Sequence, residues 1–417
     1  MLVYVFTSGT HGDVFPFLGI GRALRDLGHE VVVFTHPYFA RDVERAELGM
    51  HPMGGDMDIE ALLKSPDAFH STRGHRVVVQ MSFRAIPATT TEMLHAIEER
   101  RPDVIVTHHF MFGPRWIAEG LDIPCAVCCL SPMAWFSRRD PVPAFQRQSG
   151  WLRKRAATIT MRAARPVVIP ILDRRLNRAR RRVGLARQRK VFLNDFRGGT
   201  VNLGMWSRHF RGPLKTDPES GVICGFPFYD GRRSSEGLSA EVESFLDEGA
   251  PPVVFTLGSA AFHTAGSFYD MAAEACASIG RRGLLLTGRS EYAPKNLPAG
   301  VRAFASAPHS LLLPRAACTV HHAGIGSASQ ALRSGRPSVV IPFAHDQFNN
   351  ATRLESIGVA RSVRRARLSP ARLSEAIEEV LGVRHIVERA ASLGELIRQE
   401  NGSQAAAEEC VRIASGA

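Results

Sequence analysis

The opening 35 residues restrict the fold more than any other stretch of this chain. Leu2–Thr7 is a short apolar run, Ser8–Val14 is a glycine-rich turn, and Phe17, Ile20, Gly21, Leu24 and Leu27 then recur at helical spacing until Gly28 stops the pattern. Val31–Phe34 is the next apolar run. Strand, helix and strand in that order make a βαβ unit, whose right-handed crossover requires a parallel sheet covered by helices on both faces. Short buried strands are expected again at Asp103–Val106 and Cys125–Leu130.

The pattern restarts in the second half. Pro252–Leu257 runs into Gly258-Ser259, Leu284–Leu286 into Thr287-Gly288, and Cys318–Val320 into His321-His322-Ala323-Gly324. Two α/β halves follow, here placed at residues 1–210 and 219–400, with Arg208–Pro218, which holds Gly212, Pro213 and Pro218, as the linker. Ser369-Pro370 starts a helix whose buried stripe is Leu373, Ile377 and Val380 or Leu381, and an alanine-rich helical pattern closes the chain from Gly402.

A chain of 417 residues with 45% hydrophobic content can bury full cores in two or three domains. No apolar run approaches the ~18 residues that span a bilayer, and the first ten residues lack the marks of a signal peptide, so a cytoplasmic location is expected. The formal charge of +12 is local: Trp151–Lys190 holds 12 Arg and 2 Lys against the single acid Asp173, so the rest of the chain is close to neutral. That segment reads as a solvated helix face or as peripheral contact with anionic lipid at the inner face of a membrane. Nucleic acid is disfavoured, since no recognition helix, zinc finger or RNA-binding aromatic motif accompanies it. Among seven cysteines only Cys125, Cys128 and Cys129 cluster, without the second pair a zinc site needs, so no metal site is expected.

Two turns carry the chemistry. Ser8-Gly9-Thr10-His11-Gly12-Asp13-Val14 stands between first strand and first helix, where open parallel sheets place ligands, and it brings His11 and Asp13 together for proton transfer or sugar contact. It does not match the G-x-G-x-x-G fingerprint, and no acid ends the second strand, which disfavours a nicotinamide cofactor. The second turn is His321-His322-Ala323-Gly324-Ile325-Gly326-Ser327-Ala328-Ser329-Gln330. Small residues at a helix start free backbone N–H groups for a diphosphate, and His322 and Ser327 add donors. After the strand Ser338–Ile341, the run Pro342-Phe343-Ala344-His345-Asp346-Gln347 offers an Asp-Gln pair suited to neighbouring sugar hydroxyls.

This block resembles the donor-binding segment of the UDP-glycosyltransferase family, and the resemblance covers essentially the whole chain. His322-Ala323-Gly324 with Ser327 matches the family's diphosphate stretch, and Asp346-Gln347 its sugar-binding pair. Pro308-His309 with Leu311–Pro314 is similar to the segment framing the nucleotide base, Ser259 to the phosphate-contacting serine, and the first turn to the acceptor-side loop. Bacterial glycolipid rhamnosyltransferases and sterol-type glucosyltransferases look nearest.

The resemblance implies a GT-B fold, two doubly wound Rossmann-like domains facing a central cleft, with the last helix, about 402–417, packed back on the first domain. It implies an inverting transfer of a hexose from a UDP- or dTDP-linked donor to a hydroxyl of a hydrophobic lipid, polyketide or sterol-like acceptor. The nucleotide sugar is a co-substrate, and no cofactor is expected. No Asp-x-Asp motif is read as carrying a divalent metal to the diphosphate, in keeping with metal independence. Donor contacts are expected from Ser259, Gly288, His309, His322, Gly324, Gly326, Ser327, Gln330, Asp346 and Gln347. Asp13 stands where many relatives carry the basic His, and His108 where plant members carry the acid that orients it, so Asp13, His11 and His108 all remain candidates for the base. Gln330 replaces a ribose-binding Glu, leaving the choice between UDP and dTDP open. Phe110, Phe112, Trp116, Trp135 and Phe136 are the expected acceptor wall, within a crowd that includes Met111, Met133, Phe145 and Trp151. A GT-B nucleotide-sugar epimerase and a non-catalytic partner of another glycosyltransferase are the rival readings.

Overall fold

The computed structural model describes residues 1–54, 74–137, 169–182, 184–232, 236–259 and 261–416. The chain forms two compact units, one holding the described residues up to Gly231 together with those from Asn401 onward, the other Arg232–Glu400. In unit 1, β1 (Leu2–Phe6), β2 (Glu30–Thr35), β3 (Gly49–Pro52), β4 (Val104–His108), β5 (Cys125–Cys129), β6 (Val201–Gly204) and β7 (Gly221–Ile223) form a sheet in the order β3-β2-β1-β4-β5-β6-β7. Every pairing is parallel. All five residues of β1, β4 and β5 are buried, the consequence of covering both faces of a parallel sheet.

Unit 2 repeats the plan with β8 (Val253–Thr256), β9 (Gly283–Leu286), β10 (Val301–Phe304), β11 (Cys318–His321), β12 (Ser338–Val340) and β13 (Ala360–Ser362), ordered β10-β9-β8-β11-β12-β13 and again wholly parallel. Both sheets therefore grow outward in two directions from their first strand. The strand order reverses between β1 and β4 in unit 1 and between β8 and β11 in unit 2. The crevice beyond the carboxyl ends of such a strand pair is where doubly wound sheets bind ligands. Each half of the chemistry expected from the sequence leaves its sheet at one of these two points.

The domain boundary differs from the expected one. Arg208–Pro218 is not a linker, because it leads into β7, the last strand of the first sheet, and unit 1 continues to Gly231. Arg211 is buried there, paired with Asp217, and its guanidinium lies 5.4 Å from the Trp135 ring and 5.8 Å from the Trp206 ring. The glycine and prolines shape a packed turn before an edge strand, which composition alone does not separate from an open linker. Helix Gly402–Ala414 belongs to unit 1 and packs on helix His11–Asp26.

All seven cysteines are buried and unpaired, and burial pushes the Cys125 thiol up to about 12. Of the basic segment, residues 151–168 lie outside the described residues, as does Phe145. Within helix 169–182, Arg180 is turned inward and bound to Glu119 at 2.8 Å, whereas Arg174, Arg175, Arg178, Arg181 and Arg182 are exposed. The expectation of no Asp-x-Asp motif needs correction, since Asp56-Met57-Asp58 is such a triplet, and it lies outside the described residues. Among the described residues no helix is long and apolar enough to cross a membrane.

Candidate active site

Asp13 is the third residue of helix His11–Asp26, and its carboxylate turns back to close a capping box: the Thr10 N–H and hydroxyl donate to Oδ2 at 2.8 and 3.0 Å. Gly9, at φ +132°, makes room for this, since a Cβ there would lie 2.5 Å from Oδ2. From the end of β4, His108 faces the other oxygen, with Nε2 3.6 Å from Oδ1. The Phe110 backbone N–H donates to His108 Nδ1 at 3.2 Å, so the neutral ring carries its proton on Nε2 and presents an N–H to the carboxylate. Burial alone raises the Asp13 carboxyl, but the His108 and Thr10 contacts outweigh it and hold the group below its ordinary 3.8. With about a third of its side chain exposed, Asp13 is an ionised, accessible acceptor of protons. The same Phe110 bond occupies the lone pair His108 would need as a base, which argues for Asp13 in that role.

His11 sits elsewhere. Its Nε2 is 3.7 Å from Asp42 Oδ2, and its ring packs edge-on to Phe15, Tyr38 and Phe39. Burial lowers its pKa more than Asp42 raises it. The structure thus joins Asp13 with His108 and gives His11 a separate carboxylate.

The donor half is built around His322, just after β11. Its ring occupies the space of two absent side chains: a Cβ on Gly324 would lie 2.3 Å from Nε2, and one on Gly258, at φ +66° after β8, would lie 2.6 Å from Cε1 and 3.3 Å from Ser327 Oγ. These glycines are needed for close approach. His322 is buried; burial, helped by the charge of His309, lowers its pKa to about 3, so the ring is neutral. Helix Ile325–Ser334 begins here with Gly324 as N-cap and no side-chain cap bond. Its first N–H groups and positive dipole end are therefore unspent on the chain's own side chains, the arrangement that binds phosphate oxygens. Gly326 adds open space on the first turn, and Ser259 lies in the turn that Gly258 begins.

The loop that leads into Asp346-Gln347 follows β12. Gln347 Oε1 accepts the Phe343 and Ala344 N–H groups at 2.8 and 2.9 Å, which leaves its NH2 for a ligand. Asp346 Oδ2 accepts from the Asn350 side chain at 2.8 Å. Ala323 and His345, at φ +63° and +53°, hold the left-handed conformation without being glycine, a cost of roughly 1–2 kcal/mol each that is characteristic of ligand sites. Gln330 is buried with Oε1 unpartnered, and Gly288 ends β9 against the Phe262 ring. The structure brings His322, Gly324, Ser327 and Gly258 together, and the Asn350 side chain ties Asp346 to Ala323 beside them.

Residues 3–136 match the glycosyltransferase family 28 N-terminal domain, and residues 284–415 match the Erythromycin biosynthesis protein CIII-like, C-terminal domain. O-mycaminosyltylonolide 6-deoxyallosyltransferase of Streptomyces fradiae is 30% identical over 99% of this chain and 97% of its own length. The chain belongs to the UDP-glycosyltransferase family. As a GT-B glycosyltransferase it is also 26% identical, over 87% of its length, to a sterol 3-beta-glucosyltransferase of Arabidopsis thaliana, of which it spans only 58%. The glycotransferase of kitacinnamycin (TM-score 0.75, 22% identity, 99% of this chain and 98% of that one) and VinC in complex with dTDP (0.73, 21%, 100% of both) share its fold.

The aromatic wall of this glycosyltransferase needs correction. Phe112, Trp116 and Trp135 are core residues, exposed by no more than 3%, and the indole N–H groups are spent internally, Trp116 on Asp195 and Trp135 on Asn202. Only Phe110 and Phe136 of the expected five keep partial exposure. Both meet buried Phe196 edge to face, at 5.2 and 5.1 Å, and Phe136 also meets half-buried Phe192. These two phenylalanines were missed because they follow in the chain long after the cluster; the helix Val191–Arg197 returns them to it. Phe136 and Leu193 line a cavity of about 510 Å³ whose other walls are mostly polar and include Arg115, Lys190 and Arg197. Asp195 supports this wall: burial pushes its carboxyl up to about 6 against the pull of Arg115. Trp116→Phe, which removes the indole N–H but keeps the ring, is expected to lower unfolding free energy by about 1–3 kcal/mol while acceptor KM is unchanged. Denaturant titration beside kinetics checks this, and a raised KM at full stability would return Trp116 to the acceptor surface.

Proposed function

We propose that this glycosyltransferase moves a hexosyl group from a nucleoside diphosphate to a hydroxyl of an apolar small molecule, with inversion at the anomeric carbon and without a bound metal. The observation that carries the reading is the division of chemistry between the two strand-order reversals. Unit 1 offers an ionised, accessible carboxylate, and unit 2 offers a neutral imidazole beside an uncapped helix N-terminus. Asp13 takes the acceptor proton as the new C–O bond forms, and the electron pair of the breaking anomeric C–O bond passes to the diphosphate. Ser327, His322 and the first N–H groups of helix Ile325–Ser334 stabilise that growing charge, the part a divalent ion plays elsewhere. Asp346 and the Gln347 amide hold the sugar hydroxyls.

The names of the relatives support a macrolide- or sterol-like acceptor, and the dTDP complex of VinC supports a deoxythymidine diphosphate donor. Calorimetric titration in EDTA with UDP, dTDP, UDP-glucose, dTDP-rhamnose and NAD tests the donor half. Micromolar binding of one pyrimidine diphosphate and none of NAD is expected. Binding that requires added Mg²⁺ would overturn metal independence, and no binding at all would overturn the donor site. The anomeric coupling constant of the product decides inversion, and donor consumption without acceptor would favour an epimerase.

A further inference from the structure

Asn350 lies one turn into helix Gln347–Ser356 and is fully buried. Its side-chain amide donates to the Ala323 carbonyl at 3.0 Å and to Asp346 Oδ2 at 2.8 Å. The two acceptors belong to different strand-to-helix turns, the diphosphate turn after β11 and the sugar-facing turn after β12. An amide NH2 has two protons, so one side chain spends both on joining these turns. Ala323 is a left-handed residue whose own N–H donates to His321 Nδ1 at 3.2 Å, so Asn350 pins the other end of a strained peptide. Asp346 stands at the N-cap of its helix yet makes no cap bond with its side chain; the carboxylate is held one turn along instead. Asn350 Oδ1 is meanwhile buried without a partner. An apolar residue of similar size would fill this space without that orphaned oxygen, so packing does not account for asparagine here, whereas two donors on a flat amide do.

We propose that Asn350 is a positioning residue of the donor site, fixing the distance between the diphosphate turn and the Asp346 carboxylate so that a nucleotide sugar is held more tightly than the bare nucleoside diphosphate. The inference rests on the reading of Asp346 as a sugar contact. It extends that reading to how one side chain sets the spacing between the two turns.

The test compares Kd for the pyrimidine diphosphate that the wild type binds with Kd for its hexose derivative, in Asn350→Ala, Asn350→Asp, Asn350→Ser and Asp346→Asn, with Tm recorded for each. In Asn350→Asp a carboxylate would face both the Asp346 carboxylate and the Ala323 carbonyl. The extra affinity for the sugar-bearing ligand is expected to fall about tenfold or more in Asn350→Asp and Asn350→Ala, with the bare diphosphate changed much less. Asn350→Ser keeps one donor at smaller volume, and part of the discrimination should survive, which guards against loss of fold in the other two. Equal loss for both ligands in step with Tm, or no loss for either, would overturn the proposal. Loss in Asp346→Asn without loss in the Asn350 variants would also sink it, whereas loss in the Asn350 variants alone would sink the sugar role of Asp346.

Discussion

Asp13→Asn is expected to lower kcat by about a thousandfold while leaving donor affinity unchanged, because general-base assistance contributes roughly 10²–10⁴ in rate and the donor contacts belong to the other unit. Asparagine keeps the shape and the Thr10 contacts in part, so the fold of the first turn should survive. His11→Ala should cost far less, since His11 is committed to Asp42 and the aromatic rings around it. The opposite ranking, full activity in Asp13→Asn and collapse in His11→Ala, would transfer the base to His11.

A pH profile gives a second, independent reading of the same assignment. The Asp13 carboxyl is held below 3.8, so it is ionised throughout the neutral range and kcat/KM should stay level through pH 6–7, with the acid limb only below the ordinary carboxylate value. An imidazole base would give a limb near or below 6.5. His108→Phe sharpens the point: it removes the N–H that lowers the Asp13 pKa, so burial then dominates and the acid limb should move up. A limb that stays where it was would mean that His108 does not act on the carboxylate.

The parts of the site legible in the sequence are those written in consecutive residues. The turn after β1, the turn after β11 and the Asp346-Gln347 pair are each written as a strand, a short turn and a helix start, and each lies at such a junction in the fold. What was not legible depends on contacts between distant segments. Which nitrogen of His108 faces Asp13 is decided by the backbone N–H of Phe110, and the partner of His11 is Asp42, 3.7 Å away but on another helix. The aromatic cluster could not be divided into core and surface, because Trp116 finds Asp195 and Trp135 finds Asn202 only once the chain has come back. The strands β3, β6, β7, β10 and β13 are short and weakly patterned, and each pairs with a neighbouring strand brought to it from elsewhere in the chain. The misplaced boundary at Arg208–Pro218 has the same origin, since β7 has only three residues.

His322→Ala is the second large effect expected, a fall in kcat of about 10²–10³ accompanied by weaker binding of the nucleotide sugar. The variant removes a donor and also the ring that fills the space above Gly258 and Gly324, so the two turns lose their common contact. The neutral state of the ring yields a separable consequence. With a pKa of about 3, His322 carries no proton to lose between pH 5 and 8, so affinity for a nucleotide sugar, whose diphosphate does not titrate there, should be level across that range. Were the ring cationic when it meets the diphosphate, affinity would rise as pH falls through 6.5, and the variant would abolish that slope. His322→Gln separates the two parts of the role. An amide N–H replaces the imidazole donor without the flat ring, so it should recover donor binding more than kcat if the hydrogen bond matters chiefly when the leaving diphosphate gains charge. Recovery of neither would mean that the ring acts by holding Gly258 against Gly324 rather than by donating.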